Sequence, residues 1–366
     1  MRRTRTNTDK KVPTITDVAA AAGVTTATVS FAFSGKRFVA PETRELVLNA
    51  ARQLDYAPNP HAVRLATGRV EDLIALFTLT LDQGVGTEKL LLIQRALYAA
   101  GYRAPIHGYD FHAAFNLPEQ VSLMRDLRMQ RPRGIVCAAA GVHPDAIEEL
   151  RRFAEEGGVV ACLCYGDPIQ IESDQVIFDE ADNTYQSTRH LLSLGHRRLG
   201  FYKVGLDRHY GPRYHGFRRA LCEYDVPYRE EWHFRGGDIA LQEESGVVVA
   251  REWALMPVQD RPTGLCIVND RTAQGFIVEA FRLGMSVPED VSVVGHDDQP
   301  PAVFGRIPLT TVSHPVTAMV DSLVKLLTER LEGVYDGPAR RIVHRGELVI
   351  RASTAPVSPE KKEALS

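Results

Sequence analysis

The spacing of apolar positions changes near residue 70 of this chain. Before it, apolar residues recur every three or four positions in short stretches separated by glycine and proline. This is the spacing of helices that bury one face. After it, continuous apolar runs alternate with helical patterns. The pattern predicts a small all-α domain followed by a larger α/β domain.

Three short helices and a linker helix are predicted in the first part. Thr16 is the expected N-cap of the first helix, Gly23 ends it, and Pro41 suits the first turn of the third. The sequence YAPNP at 56–60 interrupts the pattern before the linker helix. The predicted helices cover residues 17–22, 26–33, 41–54 and 61–67.

Six continuous apolar runs follow, and a helical pattern comes after each of the first five. Strands buried on both faces have such runs, so the alternation predicts parallel sheets with helices on both faces. A further helix at 316–332 and a late strand at 347–351 suit two doubly wound lobes better than one. The six runs cover residues 73–79, 134–140, 159–165, 199–204, 264–269 and 291–297.

Charge is distributed unevenly between these two parts. Residues 1–69 hold 11 Lys and Arg against 5 Asp and Glu, whereas the remaining residues hold 32 against 41. A basic end on an acidic body suggests contact with a polyanion, although solvated surface alone is compatible with it. Residues 1–13 have no periodicity and are expected to be a flexible arm.

Cysteine usage and hydropathy bear on the compartment. Four of the five cysteines lie in apolar, strand-like runs, which favours buried thiols of a reducing cytoplasm over disulfides or a metal site. The basic N-terminus has no apolar segment after it, and no apolar run approaches the ~18 residues that span a bilayer. A cytoplasmic protein without a metal site, a cofactor or a membrane partner is therefore expected. The cysteines are Cys137, Cys162, Cys164, Cys222 and Cys266.

Residues 14–34 have the pattern of a helix-turn-helix. Small apolar residues such as Val18 pack the first helix, Gly23 permits the tight turn, and Val29 fills the joint. An ordinary helical hairpin inside a core is the alternative that this stretch alone leaves open. On or near the outward face of the second helix, where a major groove would lie, are Thr25, Thr26, Ala27, Ser30 and Phe31.

Longer segments carry a resemblance to a known family. TITDVAAAAGVTTATVS, followed by FVAPETRELVLNAARQLDYAPNPHAVRLATGR, resembles the headpiece and hinge of the lactose-repressor (LacI/GalR) family. Five downstream segments resemble the sensor core of that family, in the same order: HLLSLGHRRLGF, RYHGFRRAL, IVNDRTAQGF, VPEDVSVVGHDD and PLTTVSHP. The resemblance covers roughly residues 14–354. It implies a helix-turn-helix domain (14–58), a hinge helix (59–69), a two-lobed periplasmic-binding-protein-like sensor (70–354) and a tail (355–366).

The resemblance also assigns DNA-binding positions. Thr26, Ala27 and Phe31 match base-reading positions of the family. Phe31 departs from the polar or basic residue usual there, because its ring cannot hydrogen-bond a base edge but can contact a thymine methyl. Thr16, Thr28 and Ser30 match phosphate-contacting positions. In the hinge, Leu65 matches a wedge that enters the minor groove, Ala62 a small residue that allows close approach, and Asn59 a phosphate contact.

Candidate effector residues follow predicted strands, at the edge of the sheet where open α/β folds bind ligands. Arg213, Asn269 and Asp297 match effector positions of the family, with Asp270 and Asp179 as weaker candidates. A helix cap or an inter-lobe salt bridge is the alternative for each. The segment 81–89 and Ile239 depart from the family, so one wall of the pocket is unusual.

The resemblance implies a repressor, controlled by a sugar or related small-molecule effector, that binds a pseudo-palindromic DNA operator as a homodimer. Activation of transcription is not excluded. The tail has no apolar heptads, which favours a dimer over a tetramer. A sensor core that only dimerises and binds no effector is the alternative. An enzyme is not expected, because the dinucleotide, P-loop, zincin and nucleophile-elbow motifs are absent.

Overall fold

The computed structural model describes residues 13–34, 37–54, 56, 70–80, 84–109, 117–139, 142–202, 211–234 and 242–357. The chain divides into two compact units, which meet in sequence at Val70 and Glu71. The predicted hinge helix and residues 1–12 of the predicted arm lie outside the described residues.

The first unit contains the three predicted short helices. Val18, Val29 and Val47 are fully buried, one from each helix, and small alanines fill the space between them. Each helix is too short to be stable alone, so this shared apolar core holds the unit together. The helices are α1 (Ile15–Ala22), α2 (Thr26–Ser34) and α3 (Pro41–Gln53).

The N-cap prediction for α1 was wrong, because Thr14 caps the helix and not Thr16. The Thr14 hydroxyl accepts from the backbone N–H of Asp17, and the Asp17 carboxylate accepts from the Thr14 N–H at 2.8 Å. This reciprocal capping box needs a carboxylate three residues after the cap. Thr16 has Ala19 at that position. Gly23 ends α1 as predicted, with φ of 65°.

The second unit begins with a lobe built on a six-stranded sheet of order β11-β5-β4-β3-β1-β2. Helices α4 and α12 pack on one face and α5 and α6 on the other, so its central strands are buried on both sides. The strands are β1 (Val70–Thr80), β2 (Ile106–Tyr109), β3 (Pro132–Ala138), β4 (Val159–Tyr165), β5 (Asp174–Phe178) and β11 (Arg341–His344). The helices are α4 (Gly84–Ala99), α5 (Leu117–Met129), α6 (Pro144–Glu155) and α12 (Val316–Leu331).

The other lobe has a four-stranded parallel sheet of order β7-β6-β8-β9. Helices α9 and α10 cover one face, and α7 and α8 the other. Its strands are β6 (Leu199–Tyr202), β7 (His233–Phe234), β8 (Gly264–Ile267) and β9 (Ser292–Val294), with a separate antiparallel pair β10 (Thr311–Val312) and β12 (Leu348–Val349). Its helices are α7 (Glu180–Ser193), α8 (Pro212–Glu223), α9 (Gln242–Leu255), α10 (Asp270–Arg282) and α11 (Pro300–Phe304).

Two sheets confirm the predicted two lobes, and each of the six predicted apolar runs contains a strand. Sequence patterns missed the strands β2, β5, β7, β10 and β11 and the helices α5, α9 and α11. β5 begins with Asp174 and Gln175, whose polar side chains are buried. β11 lies at the sheet edge and alternates exposed with half-buried positions, so neither strand has a continuous apolar run.

Packing extends slightly past the predicted end of the sensor. Val357 is buried, and its N–H donates to the carbonyl of Leu194 at 3.1 Å. All five cysteines are described, each as a free thiol, and four are buried as expected. Among the described residues, no single helix is long and apolar enough to cross a membrane; only the pair Ile15–Ala22 and Thr26–Phe33, bent by 101°, passes on length and composition together.

Candidate DNA-binding surface and ligand cleft

Helix α2 turns one face into the core and leaves the other in solvent. Val29 and Ala32 are buried, whereas Thr26 and Ala27 in its first turn are exposed. The Thr25 hydroxyl accepts from the N–H of Thr28 at 3.1 Å and lies 2.9 Å from the Thr28 hydroxyl. The helix therefore starts at a capped, accessible N-terminus with positive partial charge. Thr16, Thr25, Thr26 and Ala27 are exposed, and Thr28, Ser30 and Phe31 are half-buried.

Phe31 lies at the edge of this surface and not in the core. The guanidinium of Arg37 sits 5.3 Å from the centre of its ring, in cation–π contact. Sequence reasoning did not single out Arg37, although a basic residue shortly after the second helix was a usable signal. Asn59, Ala62 and Leu65 lie outside the described residues.

Arg213 is held at the start of α8, within the second unit. Its guanidinium donates to Glu180 at 2.8 Å and also to the carbonyl of Val268, and both charged side chains are 12% exposed. Burial lowers the pKa of Arg213, but Glu180 and Asp297 outweigh it, so the net change is upward. Arg213 is therefore a fixed cation between α7 and the end of β8.

Lys89 enters the same region from α4 of the other lobe. It is fully buried, with Nζ 3.0 Å from Nδ1 of His314 and 4.5 Å from the centre of the Tyr165 ring. Burial lowers the pKa of Lys89 to about 7, although Asp297 and Glu180 favour its charge. A large fraction of this amine is therefore neutral near physiological pH.

Asp297 follows β9 with φ of 105°, a backbone conformation that non-glycine residues rarely adopt. Its Oδ1 is 3.1 Å from Nε2 of His314. Burial raises the pKa of Asp297, and nearby His296, Arg213 and Lys89 oppose the change. Strain of this kind is common at ligand sites. The Asp297 side chain is 15% exposed, whereas the His314 side chain is 1% exposed.

Two buried histidines flank Asp297. The His314 ring stacks on Phe178 with centres 3.6 Å apart, and the His296 ring meets Phe178 edge-on at 5.8 Å. Burial lowers the pKa of both imidazoles well below the usual range, and the cations Arg213 and Lys89 add to the effect. Both rings are therefore neutral at physiological pH.

The other three predicted effector residues have structural partners. Asn269 caps α10, with Oδ1 accepting from the N–H of Thr272 at 2.9 Å. Asp179 caps α7, with Oδ1 accepting from the N–H of Asp182 at 3.0 Å. The sequence left a helix cap as the alternative role for these residues, and in the structure both side chains are helix N-caps.

Asp270 is fully buried beneath Asp297. It accepts from the Thr311 hydroxyl at 2.6 Å and from the backbone N–H of Gln299 at 2.8 Å. Burial, and then the charge of Asp297, raise the pKa of Asp270 well above its usual range. Its contacts tie α10 to β10 and to the segment after β9, which places Asp297.

The structure thus brings Arg213 and Asp297 together with residues that sequence reasoning missed. Lys89 lies at the end of the atypical segment 81–89, which had been flagged only as a departure. The two histidines occur within quoted segments, VSVVGHDD and TTVSHP, but their spacing in the chain gave no indication that they meet. The missed residues are Lys89, Tyr165, Glu180, His296 and His314.

Comparison with known proteins finds matches to both parts. Residues 14–59 match the model of bacterial regulatory proteins of the lacI family, and residues 188–354 match a periplasmic binding protein-like domain. The HTH-type transcriptional repressor PurR of Pectobacterium carotovorum is 30% identical over 87% of this chain and 90% of that protein. The chain belongs to the LacI family of bacterial regulatory proteins.

Other relatives match this LacI-family chain over nearly its whole length. The repressor PurR of Mannheimia succiniciproducens is 28% identical over 94% of this chain and 99% of that protein. A transcriptional regulator CelR–cellobiose complex is 27% identical, with a TM-score of 0.65, over 93% and 99%. The Lac repressor dimer bound to operator and the anti-inducer ONPF shares the fold, at 24% identity and a TM-score of 0.77 over 94% and 100%. This LacI-family protein is a transcription regulator with a DNA-binding helix-turn-helix, and not an enzyme.

Proposed function

We propose that this regulator acts in the cytoplasm as a homodimeric repressor that binds a pseudo-palindromic DNA operator and responds to a small hydroxylated effector, such as a sugar. The observation that carries the proposal is a three-helix unit with an exposed α2, on the same chain as a two-lobed unit with a polar cleft. One headpiece reads one half-site, so two copies related by twofold symmetry match a palindrome.

The exposed start of α2 supports DNA binding. Thr26 and Ala27 extend from the accessible end of the helix, where base edges of the major groove are within reach. Thr16, Thr28 and Ser30 offer hydroxyls to phosphates, which fix the register of the protein on the duplex. Phe31 and its partner Arg37 present an apolar ring beside a cation, a combination suited to a thymine methyl next to a phosphate.

Asn59, Ala62 and Leu65 carry the hinge part of the proposal. Leu65 enters the minor groove at the centre of the operator and kinks the DNA, Ala62 permits close approach of the partner hinge, and Asn59 contacts a phosphate. Support for these roles is the match of residues 14–59 to the family and the resemblance of the following segment.

The cleft supports a small polar effector. Arg213 and Asp297 supply a donor set and an acceptor set, and the half-buried Tyr165 supplies aromatic surface, as sites for hydroxylated ligands require. Asp179, Asn269 and Asp270 position this cleft through their caps and contacts, and serve the effector at most at its edge. Relatives of similar fold have been solved with cellobiose and with ribose.

Contacts between the two lobes allow effector binding to change the angle between them. Lys89 on α4 contacts His314, and Nε2 of Gln299, after β9, donates to Glu88 on α4 at 3.0 Å. A ligand that replaces these contacts changes the angle between the lobes and so the separation of the two hinges in a dimer. Couplings of this kind are typically ~1–3 kcal/mol.

One observation favours the alternative, a sensor that binds no effector. Two pairs of cleft side chains already satisfy one another, Arg213 with Glu180 and Lys89 with His314. A ligand has to displace such contacts. Only the free energy that it gains beyond their loss contributes to its affinity.

The DNA-binding proposal is tested by selecting sequences from a random double-stranded pool with the full chain at near-physiological salt, where phosphate-only binding is suppressed. Enrichment of a pseudo-palindrome is the expected result. The selection is run with and without pooled metabolites, because the DNA-competent dimer of some regulators needs a ligand. No enrichment in either arm would refute operator recognition.

Arg213→Ala tests the effector half. We expect operator affinity to be retained and the stabilisation of the chain by active metabolites to be lost, because mass action requires a bound ligand. Arg282→Ala, which removes an arginine that is 69% exposed, is the matched control. Loss of operator affinity in Arg213→Ala alone would make this arginine structural, and no stabilising metabolite for the wild type would favour the alternative.

A further inference from the structure

We propose that His296, Asp297 and His314 bind a divalent transition-metal ion, with Zn²⁺ the ion that suits these donors. The proposal concerns the cleft of the proposed sensor but does not depend on a sugar effector. It gives the chain a second input, a metal ion, at the point where the lobes meet.

The three side chains already converge. One ligand atom from each lies within 4.8 Å of the other two. The 3.1 Å between His314 Nε2 and Asp297 Oδ1 is close to the ~3.3 Å that separates two ligands of a tetrahedral zinc with bonds of about 2.0 Å. A shift of His296 by about 1–2 Å, within reach of a side-chain rotation, would make it the third ligand of such a site.

Both histidines have a nitrogen without a hydrogen-bond partner among the described residues. Nε2 of His296 and Nε2 of His314 are each buried without a hydrogen-bond partner; His296 is 3% exposed, and the His314 side chain is 1% exposed. The contact of His314 Nε2 with Asp297 is short enough but is not aligned as a hydrogen bond. Buried polar atoms of this kind are normally satisfied. A metal ion where the three side chains converge would give Nε2 of His314 a partner.

The orientation of the His314 ring agrees with metal binding. His314 contacts Lys89 through Nδ1, which leaves Nε2 as the ligand atom. A second contact of this kind fixes the ring of most metal-binding histidines.

The surrounding charges leave room for one cation. Lys89 and Arg213 are the neighbouring bases, and Asp270 and Glu180 the neighbouring acids besides Asp297. Arg213 is paired with Glu180 at 2.8 Å, and Nζ of Lys89 contacts Nδ1 of His314 at 3.0 Å. Asp297 then supplies the negative ligand.

Three protein ligands leave a fourth position, as in zinc sites that bind an exchangeable group. The accessible side of this site is that of Asp297, the ligand with the greatest exposure. A hydroxyl or carboxylate oxygen of a small molecule can complete the coordination there. The ion would then couple effector binding to the contact between α4 and the segment after β10.

The test uses the full-length chain after treatment with a chelator. Co²⁺ is added while visible absorption is recorded, because tetrahedral Co²⁺ gives characteristic bands, and Zn²⁺ is then titrated to displace it. We expect one equivalent per chain, with bands that Zn²⁺ abolishes. Wild-type protein without a stoichiometric Co²⁺ spectrum, or with no displacement by Zn²⁺, would overturn the proposal.

Variants locate the ion. His296→Gln, His314→Gln and Asp297→Asn are each expected to weaken Zn²⁺ binding more than ~10-fold, since loss of even an outer-shell contact costs 10–100-fold. His215→Gln, which changes an exposed histidine, is the matched control and should bind like wild type. Circular dichroism checks that each variant folds. Unchanged Zn²⁺ affinity in the folded double variant His296→Gln/His314→Gln would place the ion elsewhere.

Operator selection on the same preparation separates the two proposals. DNA binding without stoichiometric metal binding contradicts only the metal site. Metal binding without operator recognition contradicts only the DNA-binding proposal. Binding of anionic ligands but not of Zn²⁺ would assign the cluster to an acidic effector and refute the metal site.

Discussion

The headpiece and the sensor place their functional side chains in opposite environments. In the headpiece, Thr16 and Thr26 are exposed, and the core beneath them consists of small apolar residues such as Val29. In the sensor, Lys89 and His314 are enclosed between two lobes that each have two apolar clusters. A polyanion can bind to an open surface, whereas a small ligand has to be enclosed by the protein.

This difference has an energetic consequence. An exposed threonine remains hydrated and adds little to the cost of folding. A buried lysine or an unpaired imidazole costs free energy unless a partner satisfies it. The sensor therefore needs a large apolar core to support its polar cleft, and the headpiece folds with a small one.

The largest expected effect comes from Val29→Asp in the headpiece core. An unpaired carboxylate in this small core should cost about 4 kcal/mol or more and unfold the headpiece. We expect operator binding to be lost while the thermal transition of the sensor is unchanged. Leu46→Asp, at a position that is 58% exposed, is the control and should keep the helical signal. Loss of the sensor transition as well would show that the two units fold as one.

Gly246→Ala should damage the sensor in the complementary way. A Cβ at Gly246 would lie 2.0 Å from the backbone carbonyl oxygen of Thr272, because α9 and α10 approach closely there. Overpacking against backbone should cost about 3 kcal/mol, measured by urea unfolding. At Gly86 the nearest atom would be the Tyr165 hydroxyl at 3.8 Å, so Gly86→Ala is the control. Equal stability of the two variants would contradict this close helix packing.

Asp174→Asn tests a buried ion pair of the sensor. Asp174 accepts from Arg330 and Arg340 at 2.7–2.9 Å. Burial alone would raise the pKa of Asp174, but the hydrogen bonds from these two arginines lower it to about 2. Because the folded pKa is depressed, the stabilisation is complete above the unfolded value of ~3.9 and is lost as pH falls through about 2.

We therefore expect Asp174→Asn to lower the free energy of unfolding by about 2 kcal/mol at pH 7 and by progressively less below pH ~4. Asp72→Asn is the control, since Asp72 and its partner Arg103 are 51% and 53% exposed. Such surface pairs contribute at most about 1 kcal/mol. A difference for Asp174→Asn that does not shrink in acid would rule out the ion pair as its source.

The smallest effects concern the DNA surface. Phe31→Ala should cost about 1 kcal/mol of operator affinity and relax preference at one base pair, because it removes the proposed apolar base contact. Thr16→Val should weaken binding to all sequences to a similar degree, because it removes the proposed phosphate contact. Selection from a random pool compares the two variants. An unchanged sequence preference in Phe31→Ala would remove Phe31 from base reading.

Local patterns account for what could be predicted. The six apolar runs each contain a strand because a strand buried on both faces places apolar residues at consecutive positions. Helix α1 ends at Gly23, which adopts the left-handed conformation that glycine permits. Thr16 precedes an apolar stretch, as N-cap residues do, but the capping partner Asp17 lies three residues after Thr14 and makes Thr14 the cap.

By itself, the sequence determined the two-part organisation, the fold class and the outward face of α2, because helical and strand periodicity and tight turns depend on neighbouring residues. Only the tertiary structure decided the composition of the cleft. Lys89 and His314 are 225 positions apart in the chain, and His296 joins them because β9 and the segment after β10 lie side by side. Their contact and altered pKa values arise from shared burial, which the linear pattern of the chain does not encode.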